Sequence, residues 1–267
     1  MSAKTRGANL RHPLIAFCFM PIVCGAQVAE PHKYVSPWRT PWTYDGARGN
    51  DHWADLDPQY AACKGMEQSP IDIREAQKAD LPALRLEYKS APLQYVTNNG
   101  ATIRVNYPTP GSGDYLIVGD KRYQLTQFHF HHPSEEYIQG KPFDMVVHLM
   151  HQSDDGKVIG VAVLVKAGRA NATIRQLWAH MPSTEGEEAV AGVEVSPAGL
   201  LPRDLAYYTY MGSQTAPPCS EGVTWVVLKT PIDISARQIA AFAKLYPHDV
   251  RPLQQLNGRI VRQTRED

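Results

Sequence analysis

At 267 residues with 43% apolar content, the chain can bury one large core, and nothing in its composition points to a second. Lysine and arginine together number 27, as do aspartate and glutamate, so no net field draws the protein to nucleic acid or to an anionic membrane surface. Its partners are therefore expected to be small and weakly charged, or absent.

The first segment does not read as part of a fold. Lys4, Arg6 and Arg11 precede an apolar run at 13–23, and small residues follow at 25–29, which is the pattern of a signal peptide over 1–29, cleaved after Ala26 or Ala29. The apolar run is shorter than the roughly 20 residues that a spanning helix needs. The mature chain is thus expected without a membrane span, in the periplasm or secreted. A lipid on Cys24 is the alternative, although Val23 is a poor match for the small residue such a site places before the cysteine. Residues 30–40 hold Pro31 and Pro37 and no apolar period, and read as a flexible leader into one domain over 41–263. Removing the signal peptide takes away Cys18 and Cys24. Cys63 and Cys219 remain, and two cysteines in an exported chain read as a disulfide; the alternative is a pair of buried free thiols, which that compartment disfavours.

Short β-favouring runs come next. Tyr95-Val96-Thr97 and Thr102-Ile103-Arg104-Val105 flank Asn99-Gly100, a two-residue hairpin signal. Runs at 115–118 and 123–131 flank Gly119-Asp120, and runs at 145–150 and 158–165 flank Asp155-Gly156, so the pattern predicts an antiparallel meander. Helices are few. One is predicted over 171–180, with Ile174, Leu177 and Trp178 on one face, and a second from Ser235, with Gln238 completing a capping box and Ile239, Phe242, Ala243 and Tyr246 as its apolar stripe.

The chemistry concentrates in Gln127-Phe128-His129-Phe130-His131 and Met145-Val146-Val147-His148. A strand alternates faces, so His129 and His131 point one way while Phe128 and Phe130 pack behind them, and a neighbouring strand can supply His148. Three neutral imidazoles on zinc leave the fourth tetrahedral position open, the arrangement of a catalytic site. Zinc can lower the pKa of bound water from 15.7 to about 7, roughly 12 kcal/mol in favour of hydroxide at about 1.36 kcal/mol per unit.

Together with Gln68-Ser69-Pro70-Ile71-Asp72-Ile73 and Gly212-Ser213-Gln214-Thr215-Ala216-Pro217-Pro218-Cys219-Ser220-Glu221-Gly222, this run resembles the α-class carbonic anhydrases, over about residues 42–262. The resemblance implies a mainly β, α+β single domain: a central, mostly antiparallel twisted sheet of about ten strands with peripheral helices. It implies one Zn²⁺ on His129, His131 and His148, and reversible hydration of carbon dioxide to bicarbonate and a proton by hydroxide on the metal. Gln127 matches the partner that orients the first histidine ring. Thr215 matches the threonine that orients the nucleophile and donates its proton to a buried glutamate, matched by Glu135. Tyr44 and Asn99 correspond to residues that order water above the metal, Trp225 to the far wall, and Met150 and Gly160 to substrate-lining valines. Bacterial members commonly have cysteines at both Cys63 and Cys219.

Four positions depart from the pattern. Ala101 stands where a histidine usually relays the proton, Gln214 where leucine forms the apolar wall, Ala216 where a second hydroxyl usually stands, and Val146 where a glutamate precedes the third ligand. Glu136, in place of the usual histidine after the buried glutamate, is expected to hold His148 instead; the alternative is a solvent-facing loop residue. His132, His151 and His180 read as structural or solvated. The departures leave two rivals open, a binding or structural module with weak or no hydratase activity and a zinc esterase, and the chain is expected as a monomer or a homodimer.

Overall fold

In a computed structural model, residues 1–2, 34–36, 38, 40–107 and 113–265 are described. The signal-peptide segment from residue 3 on, with Cys18 and Cys24, and the first part of the leader lie outside them. The strands that build the site are β1 (Tyr95–Asn98), β2 (Ile103–Asn106), β3 (Lys121–His131), β4 (Met145–Gln152), β5 (Val158–Ala167), β6 (Tyr207–Ser213) and β7 (Glu221–Leu228). The helices are α1 (Trp53–Leu56), α2 (Ala172–Trp178) and α3 (Ala236–Ala243).

Among the described residues, one sheet of 13 strands carries the fold. Ten lie on one continuous path, running from Gly186–Ala189 through β1, β2, β3, β4, β5, β7 and β6 to Arg262–Thr264 and Gln77–Ala79; three more pair off it. The predicted meander is present from β1 to β5, but β5 pairs with β7 in parallel, Val158 opposite Val223 and Gly160 opposite Trp225. Turn signals report only hairpin neighbours. A parallel pairing between strands more than 50 residues apart leaves no local mark.

Alternation divides β4 between two cores. Met145, Val147 and Leu149 enter the larger one with Phe128 and Phe130 of β3, Ile174 and Leu177 of α2, and Phe242 of α3. Val146 and Met150 face the other side with Ala162, Leu164, Val227 and Trp225. At about 25 cal/mol per Å² of apolar surface removed from water, such two-sided burial is the main term holding the central strands. It also places His148, between Val147 and Leu149, on the side away from α2 and α3.

The helix ends agree with the sequence signals. Ser235 and Gln238 form the capping box of α3, and Asn171 Oδ1 accepts from Ile174 N (3.1 Å) to cap α2, which is shorter at its far end than the predicted 171–180. The β1–β2 turn is displaced by one residue: Asn99 N donates to Thr102 O (3.2 Å), so the tip is Gly100-Ala101 and not Asn99-Gly100. Gly100 there has φ +81°, which a residue with Cβ rarely adopts, and Asn99 Oδ1 accepts from Ala101 N (3.0 Å) and Thr102 N (2.8 Å).

Candidate metal centre and active-site cavity

The register of β3 on β4 assembles the histidines. His129 lies opposite His148, and His131 opposite Val146. Directly opposed residues of an antiparallel pair share a face, so His129, His131 and His148 converge; one ring nitrogen from each lies within 4.8 Å of the others. His131 and His148 are fully buried and His129 is half-buried.

Each ring is held by its other nitrogen. His129 Nδ1 lies 2.9 Å from Gln127 Oε1, His131 Nδ1 lies 2.7 Å from the Asp249 carbonyl, and His148 Nε2 lies 2.9 Å from Glu136 Oε1. The opposite atoms, His131 Nε2 and His148 Nδ1, are buried and have no hydrogen-bond partner. Such orphaned acceptors, facing one point with their tautomers fixed from behind, fit a metal ion that prefers nitrogen donors. Burial holds His129 and His131 well below the usual imidazole range, so both are neutral, as ligands must be. Burial also works against charge on His148, but the Glu136 carboxylate, with Glu135 behind it, outweighs that and raises its pKa.

Glu135 and Glu136 are both buried, and neither faces solvent. Glu135 Oε1 accepts from Arg251 N (2.9 Å), while Oε2 lies 3.5 Å from His131 Nε2 and has no hydrogen-bond partner. Burial pushes Glu135 up to about 7, and the nearby Thr215 hydroxyl acts to lower it. Ser134 Oγ donates to the Glu136 carbonyl (2.7 Å) and accepts from Phe143 N (2.8 Å), which fixes the loop presenting both carboxylates.

A cavity of about 230 Å³ opens over the histidines. Tyr44, Asn99, Ala101, Gln127, Met150, Gln214, Thr215, Ala216 and Trp225 line it, whereas Gly160 does not. A Cβ on Gly160 would sit 2.7 Å from the Trp225 ring. Trp225 therefore fills the space that a larger side chain on β5 would take, and its ring centre lies 4.6 Å from that of His148. Gln214 is exposed and not part of a buried wall. Thr215 is buried, on the loop that the Cys63–Cys219 disulfide ties to the 3-10 turn Pro58–Lys64.

Three contributors were not singled out from sequence. Trp38, within the stretch read as a leader, lines the cavity, donates from Nε1 to Asn99 O (3.0 Å) and packs edge-on against Trp42. Asp249 supplies the carbonyl for His131; a backbone acceptor 118 residues away leaves no side-chain signal. Arg104 lines the cavity too, and here a signal existed: Thr102, Arg104 and Asn106 alternate with apolar Ile103 and Val105.

The family model described as eukaryotic-type carbonic anhydrase matches residues 48–265. A carbonic anhydrase of Nostoc sp. is 39% identical over 227 residues, covering 82% of this chain and 84% of the relative. A dioscorin of Dioscorea polystachya is 36% identical, covering 80% and 81% respectively. The solved α-carbonic anhydrase of Thermovibrio ammonificans, in complex with the inhibitor sulfanilamide, superposes with a TM-score of 0.78 at 39% identity, over 85% of this chain and 99% of that one. A family match across nearly the whole described body, joined to a solved neighbour with the same architecture, leaves one assignment: the chain belongs to the eukaryotic-type, or α, carbonic anhydrases.

Proposed function

We propose that the three-histidine cavity holds one zinc ion and serves reversible hydration of carbon dioxide to bicarbonate and a proton. The chain is a carbonic anhydrase by family and fold, and both support carbon dioxide hydration in general. The observation that carries the zinc reading is the convergence of three imidazole nitrogens within 4.8 Å, each ring held from its far side. Bound there, zinc would supply Lewis acidity, which lowers the pKa of a water from 15.7 to about 7.

The chain's own residues do the rest. His129, His131 and His148 are the ligands, and Gln127, the Asp249 carbonyl and Glu136 keep their rings aimed. Thr215 gives its hydroxyl hydrogen to Glu135 and so turns its oxygen lone pairs toward the cavity, where they accept from the nucleophile and orient it. Trp225 and Met150 form the apolar side that receives a neutral substrate. Ala101 offers no group to carry the proton away, and Tyr44, which burial pushes well above the usual phenol range, cannot substitute. All these residues come from one chain, so a monomer or a homodimer would serve alike. A disulfide, and the lack among the described residues of any helix long and apolar enough to cross a membrane, accord with a periplasmic or secreted protein.

The four departures favour a second reading, a binding module with weak hydratase activity. Ester hydrolysis is less favoured, because Trp225 occupies the room that Gly160 would open. Measuring carbon dioxide hydration and ester turnover on one zinc-loaded sample separates the three. The purified protein should hold about one zinc per chain, and His129→Ala should abolish both tight metal binding and hydration. An active, metal-free His129→Ala protein would overturn the site.

A further inference from the structure

Among the described residues lining the cavity, Arg104 carries the one permanent charge. It lies on β2 directly opposite His129 of β3. Opposed residues share a face with Cβ atoms about 5 Å apart, so the guanidinium stem rises from the same floor as the first histidine of the metal centre.

The group is half-buried, and its Nε is fully buried with no hydrogen-bond partner. The nearby Glu187 carboxylate favours the charged guanidinium, and its Oε1 is engaged by the Thr97 hydroxyl (3.0 Å). A buried cationic donor left unpaired is unfavourable, and native proteins seldom keep one unless something else supplies the acceptor. The neighbouring wall has complementary chemistry. Gln127 spends its Oε1 on His129, so its amide NH₂ remains as a donor. A guanidinium fork and an amide NH₂ lining the same cavity suit a planar oxyanion, since two parallel N–H groups match two coplanar oxygens.

We infer that Arg104 forms an anion-binding pole on the cavity wall, which takes a small planar oxyanion, bicarbonate or a low-molecular-weight carboxylate, beside the three histidines. The pole is built from protein donors alone and acts without the metal. Its identification with product binding rests on the hydratase reading; its existence does not.

The test uses the mature chain, metal-free and zinc-loaded, with Arg104→Gln and Arg104→Lys beside the unmodified protein. Acetate, bicarbonate and iodide are titrated into each, and affinities are read by heteronuclear NMR on the metal-free protein and as inhibition constants on the loaded one. Losing a charge-assisted fork should weaken acetate or bicarbonate binding to Arg104→Gln by about tenfold. Arg104→Lys keeps the charge without the fork, so it should recover iodide binding more fully than acetate binding. Dependence for bicarbonate alone assigns the pole to the product, and dependence for acetate alone assigns it to an external carboxylate; both support it. Equal affinities across the three proteins in the metal-free state would overturn the pole, even in a fully active hydratase. A chain that fails to hydrate carbon dioxide yet shows the Arg104 dependence would keep the pole and remove the hydratase reading.

Discussion

Glu136 supplies the third histidine with a carboxylate that β4 itself lacks, since Val146 stands two residues before His148. The carboxylate at hand comes from the adjoining loop, with Oε1 2.9 Å from His148 Nε2 inside a fully buried volume. In such surroundings a charge-assisted hydrogen bond fixes the tautomer of the ring and strengthens it as a donor to metal. Glu136→Gln should therefore weaken zinc affinity by about 10 to 100-fold, read by competition with a chelator. Glu135→Gln should leave that affinity nearly unchanged and lower turnover, since Glu135 meets the histidines only at 3.5 and 3.9 Å and its proposed role is to act on Thr215. Ala101 sets a different limit. With no relay in the cavity, an acid of pKa about 7 there must give its proton to water or buffer, at no more than about 10³ s⁻¹ for a recombination ceiling near 10¹⁰ M⁻¹s⁻¹. Ala101→His should raise the maximal hydration rate, and imidazole buffer should accelerate the unmodified protein more than the variant. If neither moves the rate at full zinc occupancy, proton release is not limiting.

Strand β4 carries two histidines with opposite fates. His148 faces the cavity, whereas His151, three residues on, faces the other core, where its Nε2 meets the Tyr88 hydroxyl (2.6 Å) and the rings stack. Burial pulls its pKa down from 6.5 to about 4. A folded pKa below the unfolded one means that the unfolded chain binds the extra proton. The contribution is therefore fully present above pH 6.5 and is lost as pH falls toward 4. At about 1.36 kcal/mol per unit the whole loss is on the order of 3 kcal/mol. Urea titrations of zinc-loaded protein across that range should give a steep fall in stability, shallower in His151→Gln by about that amount. Equal slopes would show that His151 titrates alike in both states.

For the molecule as a whole, the Cys63–Cys219 bridge spans 156 residues and joins the Thr215 loop to the turn Pro58–Lys64. In the chain-entropy account a closed loop of that length stabilises by about 5 kcal/mol, by restricting the unfolded chain. The double variant Cys63→Ser, Cys219→Ser should lose up to that amount in urea unfolding. Its zinc affinity should fall less than its turnover, because the three histidines stand on β3 and β4 while only Thr215 depends on the tethered loop. A proportional loss of both would place the bridge under the metal centre and not only under the loop.

Sequence alone determined the features governed by local periodicity. Two-residue alternation put His129 and His131 on one face with Phe128 and Phe130 behind them, and the Ser235–Gln238 spacing marked the start of α3, because those rules act within a few residues of chain. Resemblance to a family pattern added the expectation for Thr215 and Glu135, and the count of cysteines left after the signal segment added the Cys63–Cys219 pair. Tertiary structure alone decided what crosses the chain: the register that sets His148 opposite His129 and Arg104 on its other side, the Asp249 carbonyl behind His131, and the parallel pairing of β5 with β7 that brings the Trp225 ring over Gly160. Each depends on which strand lies beside which and in what register, and that choice follows from the burial of the whole apolar set at once, a quantity no short window of sequence contains.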